Sequence, residues 1–418
     1  MTFADPTQTS VAPAATPPTA TVRVRDIRLD FFRGLAMFII LFAHTPGNFF
    51  TRWIPARFGF SDATEIFVFC SGMASAIAFG ATFDRAGWFL GTARVIYRIW
   101  QVYWAHIGLF FATAGLLAFL TDLEIANRNY WGQLNLWMLF VESENWTNPD
   151  MLYRFMTLQW VPNLFDILPM YMVVLAMMPV VIVLGRTNFA LLAVASLIMW
   201  FFAQRSFTEA LGLPYLNFTA EPWVGRDDWQ RRWFLNPFGW QLVFFTGFAF
   251  MRGWIPKPPV TPVLIAIATV IVLANVPLSS IGIRELGFDW AREWRTENRQ
   301  WISKSDFGIL RYVQFLSLAY LAWVIAGDKG NRIRAGASTL GRIWGRILQI
   351  ILKVGQQSLA VFVVSIFVAR FNGFAMDMLG RETGTVWAVN MFGCGCLILT
   401  AYLAGWFKTT PWKPKVAR

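Results

Sequence analysis

An arginine and a histidine stand eleven residues apart in an otherwise apolar stretch of this chain. They are Arg33 and His44, within LDFFRGLAMFIILFAHTPGN at positions 29–48. On an α-helix, eleven steps of about 100° return to within roughly 20°, so the two side chains share one face, about 16 Å apart along the axis. Imidazole titrates near neutrality and often serves as a general base. The sequence therefore predicts proton chemistry at His44.

Two carboxylates follow the histidine closely. Asp62 and Glu65, in FGFSDATEIFVFCSG, stand at positions i and i+3 and hence on one helical face. A short loop after Asn48 would bring that face near His44. A carboxylate bonded to one imidazole nitrogen fixes the tautomer and raises the basicity of the other nitrogen. We predict that His44, Asp62 and Glu65 are catalytic, the alternative being a polar cluster that only caps two helices.

Arginines occupy one end of the first predicted helix and one end of the third. Arg33 either extends to lipid headgroups or points inward, toward an anionic donor. The stretch ARVIYRIWQVYWAHIG carries Arg94 and Arg98 at one end and His106 two turns beyond Arg98. His106 is either a second polar lining residue or a histidine satisfied between helices.

Several other chemistries lack their sequence signatures. The chain contains no HExxH motif and no Cys/His cluster, so we predict no metal site. It also contains no P-loop, no GxGxxG in a strand–helix context and no GxSxG elbow. We expect no permanently bound cofactor. We also expect no nucleic-acid partner.

The elements that position these residues are predicted to be membrane helices. The composition is 56% hydrophobic and only 14% charged, whereas a soluble domain is nearer a quarter charged. Apolar runs of spanning length predict an all-α, polytopic fold with about ten transmembrane helices. The predicted spans are 34–50, 63–81, 96–120, 163–185, 188–204, 237–252, 260–278, 307–326, 355–373 and 385–407.

Charge asymmetry predicts the orientation of these spans. With both termini in the cytoplasm, the cytoplasmic segments hold 20 Lys/Arg and 5 Asp/Glu, and the opposite side holds 16 and 19. This partition follows the positive-inside rule. The basic runs in 327–354 and in the tail are explained by topology and contact with anionic lipid, or by a pocket for a phosphate-bearing cytosolic donor.

The domain prediction has three parts. Residues 1–22 are rich in Pro, Thr and Ala and are expected to be a disordered tail, not a signal peptide. A ten-helix membrane domain covers 23–408, and a basic cytoplasmic tail covers 409–418. Three long segments on the outer side, 121–162, 205–236 and 279–306, are rich in Trp, which suits either a sugar-binding surface or an aromatic belt.

Five blocks in this order resemble the OpgC family, a branch of the type-3 membrane acyltransferase superfamily. They are RDIRLDFFRGLAMFIILFAHTPGN, FGFSDATEIFVFCSG, QWVPNLFDILPMY, WFLNPFGWQLVFFTG and VGQQSLAVFVVS, and the likeness covers about residues 25–375. Arg33 and His44 match the Arg-x10-His signature of the superfamily's first helix. Arg94 and Arg98 resemble the Arg-rich motif of its third helix, with Gln101 where many members have Pro.

The resemblance implies a bacterial inner-membrane enzyme that O-acylates a periplasmic glycan, with succinylation of osmoregulated periplasmic glucan as the family's associated activity. The expected partners are membrane lipid, a cytosolic acyl-CoA donor and the glycan; the oligomeric state stays open. Arg33, Arg98 and Arg94 would bind the donor. The expected acceptor-binding residues are Asn48, Trp160, Asn163, Asp166, Asn236, Trp240 and Gln241.

Three alternatives to this function remain open at the level of the sequence. A lysosomal-type N-acetyltransferase (the heparan-glucosaminide type) shares the LDxFRG pattern, but the FGFSDATEIFVF block argues against it. A transporter or flippase for an acidic solute would be expected to show paired internal repeats, and the chain has no convincing duplication. A scaffold without catalytic activity is the third alternative.

Overall fold

The structure, a computed structural model, describes residues 26–125, 128–142, 147–220 and 232–412. Of the described residues 75% are helical, and no strand occurs among them, which confirms the predicted all-α class. The predicted tail over 1–22 and residues 413–418 of the predicted basic tail lie outside the described residues. The helices are α1 Arg28–His44, α2 Ala63–Ser75, α3 Ala81–Asp122, α4 Trp137–Phe140, α5 Asn148–Met156, α6 Ile167–Thr187, α7 Phe189–Phe202, α8 Arg205–Ala210, α9 Pro237–Arg252, α10 Pro262–Ala274, α11 Ser280–Arg284, α12 Asp289–Glu297, α13 Ile309–Ala326, α14 Thr339–Gln356, α15 Ser358–Leu379 and α16 Thr383–Lys408.

Short 3-10 segments and one π turn complete the described structure. The π turn Ala76–Gly80 joins α2 to α3. The 3-10 segments are Phe49–Trp53, Pro55–Arg57, Gln133–Asn135, Arg299–Ile302 and Asp328–Ile333.

Five helical stretches of the described chain are long and apolar enough to cross a bilayer. The first, Ala63–Asp122, is broken at Gly87, whose positive φ of 78° separates two helical arms. The other four are α6, α13, α15 and α16, and two further helices, α7 and α10, are apolar but shorter. The described chain is therefore a membrane protein by length and composition, and the count of ten spans stays a prediction.

Helix α1 begins and ends earlier than the predicted span 34–50. It ends at His44 because Thr45 precedes Pro46, which disfavours the helical region for the residue before it. Thr45 accordingly has ψ of 114°, and its hydroxyl donates to the carbonyl oxygen of Leu41 at 2.9 Å. The last residue of α1 is thus the histidine.

The core of the protein surrounds α1. This helix packs against α2, α14, α15 and α16, and α2 in turn packs against α9. Two glycines allow α1 and α14 to touch backbone to backbone. A Cβ on Gly34 would overlap the carbonyl of Ile351, and a Cβ on Gly355 would overlap the carbonyl of Asp30. Arg33 is therefore held close to the end of α14.

Helix α14 lies in the segment that was predicted only as a basic loop, 327–354. It is amphipathic, with Leu348, Ile351 and Val354 buried and Arg342 and Arg346 exposed. Its apolar residues recur at helical spacing between basic ones, so the signal for a surface helix was present in the sequence.

Candidate functional site

Two separate cavities lie at the two ends of α1. The arginine cavity, at the Arg33 end, has a volume of about 380 Å³. The histidine cavity, at the His44 end, has a volume of about 70 Å³. Met37, Ile40 and Leu41 of α1 are buried between the two ends. One helix therefore contributes a polar side chain to each cavity.

The arginine cavity is strongly cationic. It is lined by Arg33, Arg98, Gln101, Gln356, Gln357, Ser358, Leu359, Ala360, Ala404 and Lys408. Arg33 donates a hydrogen bond to the Ser358 hydroxyl through one terminal nitrogen, while its buried Nε has no partner in the described chain. Arg98 donates to the side-chain oxygen of Gln101 at 3.1 Å. Three cations from three helices thus face one space.

The histidine cavity brings His44 and Asp62 together. It is lined by Ile39, Ile40, Ala43, His44, Ile54, Ala56, Asp62, Ala63, Thr64 and Lys304. The buried Nδ1 of His44 makes no hydrogen bond of standard geometry within the described chain. The cavity volume of about 70 Å³ is large enough to hold a water molecule that bridges polar groups. His44 and Asp62 therefore face one cavity without a direct hydrogen bond between them.

Asp62 is held by Lys304, a residue that was not predicted to belong to the site. Its Oδ2 accepts from Lys304 Nζ at 2.5 Å, and its Oδ1 accepts from the backbone N–H of Thr64 at 2.7 Å. Burial alone would raise the pKa of Asp62, but the charges of Lys304 and Arg311 hold that pKa below its ordinary value. The carboxylate is therefore ionised at neutral pH.

Glu65 is turned away from the histidine cavity and does not line it. One of its oxygens accepts from Arg311 at 2.5 Å, and the other accepts from the backbone N–H of Asp62 at 2.7 Å. Together Asp62 and Glu65 form a capping box at the start of α2, which is the alternative considered for them from sequence. Of the two carboxylates, Asp62 is the one that the structure places beside His44.

The remaining predicted donor residue and the second histidine lie elsewhere. Arg94 bonds to the Thr82 hydroxyl and covers the ring of Phe79, and it does not line the arginine cavity. His106 is fully buried, with the ring of Phe155 stacked at 4.8 Å, and lines neither cavity. Neither of its ring nitrogens has a hydrogen-bond partner in the described chain.

Two predicted acceptor residues fasten the segment that carries Lys304. The backbone N–H of Asn236 donates to the carbonyl of Ser305 at 2.9 Å, and the indole of Trp240 donates to the carbonyl of Lys304 at 2.9 Å. Both residues are fully buried. The structure thus places them behind the histidine cavity, where they position Lys304, and neither faces an open mouth.

The other predicted acceptor residues also make contacts within the protein. Gln241 bonds to Ser196 of α7, and Asn48 exchanges hydrogen bonds of 2.8 and 3.0 Å with Asn390 of α16. Trp160 is fully buried, and Asp166 is buried at the start of α6.

Asn163 alone among the predicted acceptor residues is exposed. Its backbone N–H donates to the carbonyl of Leu134. An acceptor role for any member of this set stays a prediction.

Sequence reasoning missed several charged residues that prove to be buried or to line a cavity. Arg311 and Arg370 each stand inside an apolar span, and a charge in that setting is a signal of function or of a buried pair. Lys304 and Lys408 carried no such signal, because each stands among other polar residues near a helix end.

Helices of spanning length around a cationic cavity and a histidine cavity define a polytopic α-helical membrane protein with a polar site at each end of one helix. The model of the OpgC protein family matches residues 25–409, and the chain belongs to that family. No curated protein and no solved structure matches the chain.

Proposed function

We propose that this protein is an O-acyltransferase that works across the bilayer. The observation that carries the proposal is the pair of cavities at the ends of α1, with Arg33 in one and His44 in the other. Membership of the OpgC family supports an acyltransferase-type role. A donor bound at one end and an acceptor bound at the other would meet at His44.

The arginine cavity is proposed to bind the phosphate groups of a cytosolic acyl-CoA. Arg33, Arg98 and Lys408 supply positive charge, and Ser358 is the first residue of α15, so the end of a helix that favours anions lies at this cavity. Arginine holds phosphate through paired hydrogen bonds. The positive-inside rule assigns this end to the cytoplasm. Because Arg33 and His44 are about 16 Å apart along α1, the donor needs a long arm between phosphate and thioester, as acyl-CoA has.

At the other end, His44 is proposed to act on the acceptor hydroxyl. Its imidazole removes the hydroxyl proton while the oxygen attacks the thioester carbonyl, and the thiolate of CoA leaves. In a second version, the imidazole first accepts the acyl group and then passes it to the hydroxyl. Asp62, ionised and fixed by Lys304, stabilises the imidazolium that forms.

The finer assignments rest on the family. We propose a bacterial inner-membrane location, a periplasmic glycan such as osmoregulated glucan as the acceptor, and succinyl as the acyl group. The experiment is transfer of labelled acyl from acyl-CoA to periplasmic glucan by the purified protein in vesicles. We expect label on the glucan with wild type and almost none with His44→Gln. Uptake of label into the vesicles without acylated product would contradict the proposal and favour a transporter.

A further inference from the structure

A guanidinium that has no counter-ion among the described residues lies inside the helix bundle. Arg370 of α15 is only 7% exposed, and its buried Nε has no hydrogen-bond partner in the described part of the chain. Within the described ranges, Arg370 makes no hydrogen bond and no ion pair. A buried arginine in a membrane helix is costly unless something anionic pairs with it.

Arg370 lies at the depth of His44. Helices α1 and α15 start beside each other, where Arg33 bonds to Ser358, and they pack together along their length. His44 is eleven residues beyond Arg33, and Arg370 is twelve residues beyond Ser358. Near the far end, a Cβ on Gly373 would lie 2.8 Å from the ring of Pro46.

The face of α15 that meets α1 also carries the arginine. Arg370 stands one turn before Gly373 and therefore shares its face, which is directed toward the end of α1. Arg370 is close enough to His44 for its charge to act on the imidazole, as the charges of Lys304 and Asp62 also do.

The nearby carboxylates are already occupied. Asp62 is bound by Lys304, and Glu65 is bound by Arg311. Asp377, two turns further along α15, accepts from Arg128, Tyr130 and Arg381. The region around His44 thus keeps an excess positive charge, which suits an anion that the described chain does not supply.

Depth limits what that anion can be. Arg370 is about 18 Å along α15 from Ser358 and about 13 Å from Leu379, so a lipid headgroup at either surface is too far away. The group that the proposed reaction brings to this depth is the acyl chain of the donor. An acyl chain with a free carboxylate would complete the pair through bidentate hydrogen bonds to the guanidinium.

We infer that Arg370 binds the free carboxylate of a dicarboxylic acyl group and makes the enzyme specific for anionic donors. The inference rests on the proposed acyltransferase function, and it adds the residue that recognises the charge of the acyl chain. Arg370 is therefore a specificity-determining residue of the transfer step.

The test compares two donors of equal chain length, succinyl-CoA and butyryl-CoA, with the purified full-length protein. We expect wild type to prefer the succinyl donor by roughly 10⁴-fold in kcat/KM, because a site built to hydrogen-bond a polar group strongly rejects the substrate analogue that lacks this group. Arg370→Gln should bring the ratio close to one, mainly by losing activity with succinyl-CoA. Arg370→Lys should keep part of the preference, because it retains the charge without the planar fork.

Arg85→Gln is the matched control, since Arg85 is exposed and bonds only to its own helix. It should leave the donor ratio unchanged. Arg370→Gln should also unfold at the same temperature as wild type or higher, because it removes an unpaired buried charge. A donor ratio that stays high in Arg370→Gln, or an equal loss with both donors, would overturn the inference.

The two proposals fail in different ways. Wild-type transfer of butyryl as efficiently as succinyl would refute the role of Arg370 and leave the acyltransferase function intact. Transfer from neither donor would refute both.

Discussion

At the scale of single residues, Arg33 combines one fixed contact with one free donor. Its terminal nitrogen is tied to Ser358, whereas its buried Nε has no partner in the described chain. Arg33 makes no ion pair within the described chain, so an anion that enters the arginine cavity would not have to displace one. Donor binding by Arg33 stays a prediction.

Arg33→Ala is expected to raise the KM for acyl-CoA with little change in kcat. The phosphate contact exists in the ground state and in the transition state alike, so its loss removes uniform binding. Arg33→Lys should recover only part of the affinity, because an ammonium lacks the planar fork. Steady-state kinetics with varied donor would check this. A fall in kcat at unchanged KM would contradict the donor-binding role.

His44→Gln is expected to lower kcat by roughly 10²–10⁴, the usual scale for loss of a general base. Donor affinity should be nearly unchanged, because His44 lies in the other cavity, about 16 Å along α1 from Arg33. Rates and direct acyl-CoA binding, measured on protein shown to be folded, would separate the two effects. Near-wild-type activity would exclude His44 as the base.

At the scale of secondary-structure elements, the contact of α1 with α14 positions the arginine cavity. The two helices approach through Gly34 and Gly355, and the corner between α14 and α15 then places Gln357 and Ser358 beside Arg33. A substitution that disturbs the packing of α1 against α14 should therefore weaken donor binding.

Gly355→Ala is expected to destabilise the protein by about 1–3 kcal/mol, since its Cβ would overlap the carbonyl oxygen of Asp30. It should also raise the donor KM by displacing Arg33. Gly108→Ala in α3 is the control, because a Cβ there meets nothing within 4 Å and alanine favours helix. Thermal unfolding in detergent and donor titration would be measured for both variants. If Gly355→Ala and Gly108→Ala changed the stability and the donor KM equally, the tight contact between α1 and α14 would be contradicted.

A second element-scale feature is the ion pair that joins α2 to α13. Glu65 is fully buried and its bridge to Arg311 measures 2.5 Å, so Glu65→Gln leaves a buried charge without compensation. We expect a loss of about 3–5 kcal/mol in the free energy of unfolding.

The partly exposed pair Arg57–Glu285 supplies the comparison for this prediction. Arg57→Gln should cost less than about 1 kcal/mol, because one partner is largely in contact with solvent. Unfolding midpoints of the two variants, measured side by side, test the difference. If Glu65→Gln lowered the unfolding midpoint less than Arg57→Gln does, the Glu65–Arg311 pair would not stabilise the packing of α2 against α13.

At the scale of the whole molecule, basic residues gather at the Arg33 end and mixed charges at the His44 end. Arg33, Arg98 and Lys408 share the arginine cavity, whereas Asp62, Glu65, Lys304 and Arg311 meet in pairs near the histidine cavity. Under the positive-inside rule this distribution predicts that the Arg33 end faces the cytoplasm, and the orientation stays a prediction.

The predicted topology has ten spans with both termini in the cytoplasm. A reporter that is active only in the cytoplasm should work when fused after Arg418 and fail when inserted beside the exposed Leu286, in the outer segment 279–306. The physical reason is that Lys and Arg are retained on the cytoplasmic side. The reverse pattern of reporter activity would show that the orientation is wrong.

The sequence by itself determined much of the helical framework. The period and length of the apolar runs predicted most of the long helices. The predicted span 34–50 ran past the pair Thr45–Pro46, although this local signal is what ends α1 at His44. The shared face of Arg33 and His44 follows from helical geometry alone. These features are local, because they depend on residues within a few turns of each other.

Only the tertiary structure decided which charges meet. Lys304 binds Asp62 across 242 residues, Arg311 binds Glu65 across 246, and Arg370 approaches His44 from another helix. The burial of Asn236 and Trp240 behind Lys304 could not be predicted from the sequence either, because their apolar surroundings come from distant segments. Periodicity shows which face of a helix is polar, but the partner of that face depends on how the helices pack, and one sequence does not encode that locally.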